Sequence, residues 1–466
     1  MKHSAINFFS QFDNQKLEKR SNSFFRSIVE KSSVSVHGIS KNWADTIGNY
    51  RMLDNEKVTL EGIKQGIIDD CTRLAECPHV LLLQDTTQPN YEKHRGRITP
   101  RTGLGVIGDN KSLGYFLHPT LAMNAENGNV FGFPNIITWI RDEGRQVKKE
   151  GKRKSEDIED KESYRWIDSI MKSKDVLKNC ELLTCIADRE GDIYELFAKV
   201  PDNRTNLLIR SRDNRRIQEG KLYEYLSNQP SLGTYEIEVR GDNRNNRKKR
   251  KAKIEVKIAK VTMLKPEKLK HNKKYPDSVE VFAIEAKETE ETIPEGEKPI
   301  HWRLLTTHQI TCFKQAVLVI HWYSMRWNIE QLFRVMQNEG LNIEESELEK
   351  GTSIIKLGVF ALGASLKIMQ LLLASKGENT QPIEHVFTEY EIDFLYDLSK
   401  KYDGKTEKQK NRNKPGTIKW ASWIVARIGG WKGLDSQHPP GPITFFKGLH
   451  DFFIMSQGWK VAKKLE

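Results

Sequence analysis

The 466-residue chain has only five cysteines, Cys71, Cys77, Cys180, Cys185 and Cys312, and no two of them form a C-x-x-C pair. An odd number at these spacings indicates neither a disulfide framework nor a zinc knuckle, and a reduced cytosol is the expected compartment. The stretch from Met1 to Lys16 lacks the apolar core of a signal peptide, so none is expected. An uninterrupted membrane-length apolar run is lacking too. The longest candidate, Thr352 to Ser375, is broken by Lys356, Lys367 and Gln370, which predicts a buried core helix and no membrane span. Internal repeats are lacking. His118 has no second histidine or cysteine at a metal-ligand spacing, so it reads as structural.

Positive charge, by contrast, is plentiful. Lys plus Arg number 75 against 63 Asp plus Glu, giving a formal charge of +12. A pI near 9.2 suits a nucleic-acid partner better than a metabolic enzyme, although lysines kept for solubility would give the same balance. The length allows roughly three domains. Residues 1–70 read as a small helical domain ending in the amphipathic run Leu60, Ile63, Ile67, Ile68.

Beyond it, His79–Gln84 is a short apolar run stopped by Asp85-Thr86-Thr87-Gln88-Pro89, the pattern of a buried strand with Asp85 at its carboxyl end. Strands are expected at Leu113–Asn124, Asn129–Arg141, Leu182–Ala187 and Asn206–Arg210, the fourth of the series ending at Asp188. A helix carries Trp166, Ile167 and Ile170, and Asp192 is placed to cap a helix over Ile193–Val200. From Leu222 to about Pro299 the period becomes two, as in Tyr235, Ile237, Val239 and in Ile254, Val256, Ile258, predicting an antiparallel β-rich insertion. Its connecting loop, Arg244 to Lys251, is a basic tip suited to DNA backbone contact, though a solvated loop would look the same. Later helices are expected at Ile418–Ile428, closed by Gly429-Gly430, and after Pro442.

The most informative segment is Tyr323-Ser324-Met325-Arg326-Trp327-Asn328-Ile329-Glu330. Read as helix, steps of three and four put Tyr323, Arg326 and Glu330 on one stripe that continues to Arg334 and Gln337. Ile329, Leu332, Phe333 and Met336 fall opposite and supply a core-facing side. Arginines on such a stripe pair with phosphate oxygens, and the carboxylate can hold a divalent metal. The order strand, strand, strand, helix, strand, helix, strand, insertion, helix is that of an α/β ribonuclease-H-like core, in which Asp85, Asp188 and Glu330 would converge. Three carboxylates are what two-metal phosphoryl transfer requires. Taken singly, Asp85 and Asp188 read as turn or cap residues and Glu330 as a solvated charge; only their order and flanking motifs argue otherwise.

Those motifs carry a family resemblance. Asp188-Arg189-Glu190-Gly191-Asp192-Ile193-Tyr194 and the stripe Tyr323, Arg326, Glu330 resemble the DDE transposases of the bacterial insertion-sequence-four family. Gln84-Asp85-Thr86-Thr87, Gly114-Tyr115-Phe116-Leu117-His118, Ile209-Arg210-Ser211 and Ala426-Arg427-Ile428-Gly429-Gly430 match as well, so the similarity runs from about Trp43 to the C-terminus. Gln337 stands where that family has a lysine, and Arg334 lies on the same face to supply charge.

The resemblance implies a helical N-terminal DNA-binding domain over 1–70, a catalytic domain over 71–370 with its insertion at about 222–300, and a helical C-terminal domain over 371–466 for dimerisation and DNA contact. It implies that Asp85, Asp188 and Glu330 bind two Mg²⁺ or Mn²⁺ ions for nicking, hairpin formation and strand transfer. Tyr323, Arg326 and Arg210 would hold transposon-end phosphates, Trp302 would stack on a flipped base, with Trp327 a weaker candidate, and Tyr50 and Arg51 would read the terminal inverted repeat. The implied partners are double-stranded DNA, as transposon ends and target, and a second copy of the chain in a homodimer. No membrane is implied, and the location would be cytoplasmic and nucleoid-associated. Two rivals remain: a ribonuclease-H-like nuclease without strand transfer, and a transposase-derived DNA-binding protein that has lost catalysis.

Overall fold

The computed structural model describes residues 12–75, 77–142, 157–239, 241, 248–377, 381–404, 406–434 and 437–463. Positions 148–156 of the charged run Lys148–Lys161, which precedes the Trp166 helix in sequence, and positions 244–247 of the basic tip lie outside the described residues.

The chain opens with helices α1 (Gln15–Lys31), α2 (Val36–Ile39), α3 (Trp43–Asp54) and α4 (Leu60–Leu74). Strand β1 (His79–Gln84) follows, then β2 (Gly105–Val106), β3 (Leu113–Gly114), β4 (Phe116–Asn124) and β5 (Val130–Trp139). Next come α5 (Arg165–Val176), β6 (Leu182–Ala187), α6 (Tyr194–Lys199), β7 (Thr205–Arg210), β8 (Arg216–Ile217), β9 (Gly220–Lys221) and α7 (Leu222–Ser227). Strands β10 (Gly233–Val239), β11 (Arg250–Leu264), β12 (Ser278–Glu288) and β13 (His301–Thr306) form the insertion and its return. The chain then turns helical in α8 (Phe313–Met325), α9 (Trp327–Gln337), α10 (Gly351–Ala374), α11 (Glu389–Tyr402), α12 (Ile418–Ile428) and α13 (Pro442–Ala462). The fold is thus mixed α/β.

Two compact units divide the chain, and neither is continuous in sequence: Met1–Cys77, Thr86–Gln146 and Asn328–Glu466 form one, Pro78–Asp85 and Val147–Trp327 the other.

The first unit is built around α10. Its apolar residues are buried on all sides, and it packs against α1, α3, α4, α12, α13 and β5. Among the described residues it is the one helix long and apolar enough to cross a membrane, and 94% of its most apolar stretch is buried within the protein. The two lysines that interrupt it are satisfied at its flanks. Lys356 Nζ donates to the carbonyls of Leu53 and Asn55, each at 2.9 Å, and Lys367 Nζ donates to that of His385 at 3.3 Å. Local sequence sets the other helices. Asn14 caps α1 by accepting from the amides of Lys16 and Leu17, and Thr59 caps α4 through Gly62. On α4, Ile63, Ile67, Cys71 and Leu74 recur at steps of four, four and three and are buried.

β4 and β5 pair antiparallel in the same unit. The expected strand Leu113–Asn124 is split at Tyr115, because β3 pairs with β2 in a separate two-stranded ribbon while the chain from Phe116 onward pairs with β5. The β2–β3 connection turns on Asp109, whose Oδ1 accepts from the amides of Lys111 and Ser112 at 2.9 and 2.8 Å.

The second unit is a mixed sheet. β1, β6 and β7 run parallel; β7 pairs antiparallel with β13, followed by β12 and β11, with β10 and the short β8 on β11 and β9 on β8. Val80 to Leu83 are fully buried, as central parallel strands covered on both faces must be. Two local expectations need correction. The insertion opens with helix α7, not strand, since Leu222 and Leu226 are spaced to bury one helical face. Asp192 is not the cap of α6: Ile193 holds that position, and the carboxylate of Asp192 is buried where it accepts from the amide of Arg212 at 2.8 Å and pairs with Arg215. A buried carboxylate needs charged and hydrogen-bonding partners more than a helix end does.

Candidate active site

Strand register builds the site within the second unit. β1 pairs Leu83 with Ile186 of β6, and continuing two residues brings Asp85 level with Asp188. β6 pairs Ala187 with Ile209 of β7, and one more residue brings Asp188 level with Arg210. Side chains at one level of neighbouring strands emerge on the same face. Two carboxylates and a guanidinium therefore stand in a row across three parallel strand ends, the edge where open α/β sheets bind ligands. Arg210 pairs across to Leu304 of β13, so Trp302, two residues earlier, shares the face.

Tyr323 reaches this row from α8. Its side chain is 4% exposed, and burial raises its phenol pKa while the positive charges of Arg326 and Arg210 oppose the shift and Asp188 reinforces it. Arg326 also hydrogen-bonds the phenol. The indole of Trp302 meets the Tyr323 ring edge-on at 5.6 Å and keeps part of its surface in solvent. Arg326 closes the arrangement: its Nη1 donates to Asp85 Oδ2 at 3.0 Å, both side chains being largely shielded. Asp188 Oδ1 accepts from the amide of Glu190 at 2.9 Å, which fixes the carboxylate at the strand end.

The expected helix through this segment is interrupted. α8 ends at Met325 and α9 begins at Trp327, with Arg326 in a turn whose amide bonds back to the Tyr323 carbonyl at 3.1 Å. A bond three residues back in place of four tightens the coil at that point. The core side of α9 is as expected, with Ile329, Leu332, Phe333 and Met336 all buried.

The remaining expected site residues belong to the first unit. Glu330 is half-buried in the first turn of α9. Arg334 pairs with Glu339. Gln337 is held at both ends of its amide: Oε1 accepts from Thr87 at 3.3 Å, and Nε2 donates to Glu344 at 3.2 Å. Tyr50 is half-buried on α3, its pKa raised by burial and by Glu347 and lowered by Arg97, while Arg51 is exposed in the last turn. His118 is buried and bonds Thr86 through Nδ1 at 2.9 Å, the structural role its isolation suggests.

The described part of the basic tip carries ion pairs. Lys249 pairs with Glu238 at 3.3 Å and Lys251 with Glu236 at 3.2 Å. Arg250 pairs with the buried Glu288 and so ties β11 to β12. Sequence reading missed a second cluster, in which the Thr184 hydroxyl lies 2.7 Å from both His79 Nε2 and His308 Nε2. Burial lowers each histidine to a pKa of about 4. No sequence signal joins residues so far apart; only the strand pairing does.

The carboxylates of Asp85 and Asp188 suit one divalent cation, since Mg²⁺ is commonly held by one or two carboxylates with water and substrate phosphate completing the shell. A larger grouping is not formed: among the described residues no three or more histidines, cysteines and acids are disposed to hold a metal ion. Chemically the row can bind a cation beside a phosphate, with Arg210, Arg326 and Tyr323 as donors to phosphate oxygens. No protein-family model matches the chain.

Proposed function

We propose that the chain is a DDE-type transposase with a ribonuclease-H-like catalytic core, cutting transposon ends and joining them to target DNA as a homodimer. The observation that carries this reading is the row of Asp85, Asp188 and Arg210 on three parallel strand ends, faced by Tyr323 and Arg326. A basic chain of +12 supports DNA as the polymer. Asp85, Asp188 and Glu330 would hold Mg²⁺ or Mn²⁺. When bound, the ions supply a Lewis acid that makes the attacking hydroxyl a better nucleophile and offsets charge on the leaving oxygen. Arg210, Arg326 and Tyr323 orient the phosphate, and Trp302 offers an indole face to an extruded base.

The test is nicking of a DNA end bearing the inverted repeat that flanks the gene, with Mg²⁺ or Mn²⁺. Asp85→Ala, Asp188→Ala and Glu330→Ala should each abolish nicking while leaving DNA binding in place. Cleavage by any one of these variants refutes the assignment. Gln337, tied to Thr87 and Glu344 in place of the family lysine, favours a second reading as a DNA-binding protein without catalysis. Repeat-specific binding with no cleavage by the unaltered chain would support it.

A further inference from the structure

We infer that Arg326 is a latch on Asp85 that nucleic-acid phosphate releases, so that the site takes a divalent cation tightly only once DNA is in place. The inference rests on the proposed reading of the site and adds an order of binding to it.

Three features of the second unit support it. First, the Arg326–Asp85 pair at 3.0 Å is shielded, the side chains being 13% and 21% exposed, so water screens it less than an ordinary surface pair. A cation approaching Asp85 meets a guanidinium already bonded to the carboxylate and carrying charge of its own sign. Second, the site is balanced: Asp85 and Asp188 stand against Arg326 and Arg210, leaving little net attraction for a cation alone. Third, Arg326 is anchored where α8 gives way to α9, its amide bonded to Tyr323 and its side chain within hydrogen-bonding reach of the same residue's phenol. The backbone is fixed and the long side chain alone has to move.

A phosphodiester changes this balance. The planar guanidinium binds phosphate oxygens in a two-point fork that a single carboxylate oxygen does not match. Drawn onto the phosphate, Arg326 leaves Asp85, while the phosphate adds negative charge and oxygen ligands beside both carboxylates. Cation and DNA then bind cooperatively, and the effect is reciprocal: the cation must raise DNA affinity by the factor by which DNA raises cation affinity. Free protein would accordingly hold little metal and have little capacity for stray hydrolysis.

The experiment is Mn²⁺ binding to the full chain, followed by the electron-paramagnetic-resonance signal of free Mn²⁺, with and without a short duplex of mixed sequence and with duplex-only controls. Without DNA, Arg326→Gln should bind Mn²⁺ about tenfold more tightly than the unaltered protein, a typical coupling between linked sites. Duplex should tighten binding by the unaltered protein by a larger factor than it tightens binding by Arg326→Gln, which keeps only the contribution of the phosphate charge and oxygens. Asp85→Asn should bind weakly in both conditions. Arg326→Lys, which keeps the charge and disturbs packing least, should stay weak without DNA, so the inference can be judged even if the glutamine variant is unstable. Equal affinity of the unaltered protein and Arg326→Gln without DNA, or tight binding by Arg326→Lys, overturns the latch alone. If no variant binds Mn²⁺ under either condition beyond the level of Asp85→Asn, the phosphoryl-transfer reading itself fails.

Discussion

Trp302 illustrates what a single side chain can contribute at this site. Its ring is held edge-on by Tyr323 yet stays partly open to solvent, which is how a stacking platform differs from a core tryptophan. Nicking needs no extruded base, whereas a hairpin bends the strand sharply. Trp302→Ala should therefore leave first-strand nicking near normal and lower hairpin yield, by a stacking loss of roughly 1–3 kcal/mol. Assayed on intact and pre-nicked ends, a parallel fall in both steps would return Trp302 to a packing role. Other residues behave differently from their local signals because of what surrounds them. In sequence Asp192 reads as a helix cap, Arg250 as part of a basic tip and Arg334 as a phosphate-facing charge; in the fold each is bonded to a specific opposite charge. The proposed contribution of Arg334 to phosphate binding, standing in for a lysine at 337, requires it to leave Glu339.

At the scale of elements, two contacts carry predictions. Gly358, in the middle of α10, lies against Tyr115: a Cβ there would sit 1.9 Å from the hydroxyl oxygen and 3.0 Å from Cζ. The Tyr115 hydroxyl is buried and has no hydrogen-bond partner among the described residues. Alanine ordinarily favours a helix, yet Gly358→Ala should destabilise by about 2 kcal/mol through overpacking. Tyr115→Phe should recover part of that loss and cost little by itself, because it removes an unsatisfied polar atom. Thermal unfolding of the two single variants and the double variant tests this; additive losses would mean that the two positions do not meet. The histidine pair bridged by Thr184 gives a pH dependence. Both pKa values are lowered to about 4 from an unfolded value near 6.5. The unfolded chain thus binds protons first as pH falls, so the stabilisation is complete above about pH 6.5 and is lost progressively down to about pH 4. Replacing both histidines with glutamine should flatten the unfolding midpoint between those limits. An unchanged slope would show that neither ring titrates with folding.

Much of this was legible in the sequence wherever periodicity and capping decide the outcome. The strand His79–Gln84, the buried helix after Lys350, α12 before its two glycines and the alternation in β10 and β11 follow from spacing alone. The level alignment of Asp85, Asp188 and Arg210 was not legible, since register is a property of strand pairs and not of either strand. Neither was the Arg326–Asp85 pair, whose members are separated by most of the sheet-forming sequence. The turn at Arg326 escaped because a change from four-residue to three-residue bonding leaves the hydrophobic pattern on both sides intact.

For the whole molecule, the discontinuity of the two units has a consequence for synthesis. The eight residues Pro78–Asp85 leave the ribosome early, but their partner strand begins at Leu182, about a hundred residues later, and contacts so distant in sequence form slowly. The helices before them wait longer still, because α10, on which α1, α3 and α4 pack, begins only at Gly351. Until that helix is made, Phe24 lacks its edge-on contact with Phe360 and Phe25 its close approach to Gly363, whereas α4 already has β5 to pack on. A nascent chain of this kind depends on protection from aggregation until nearly all of it is translated. A premature stop between Trp327 and α10 would leave the second unit complete and the first without the helix at its centre.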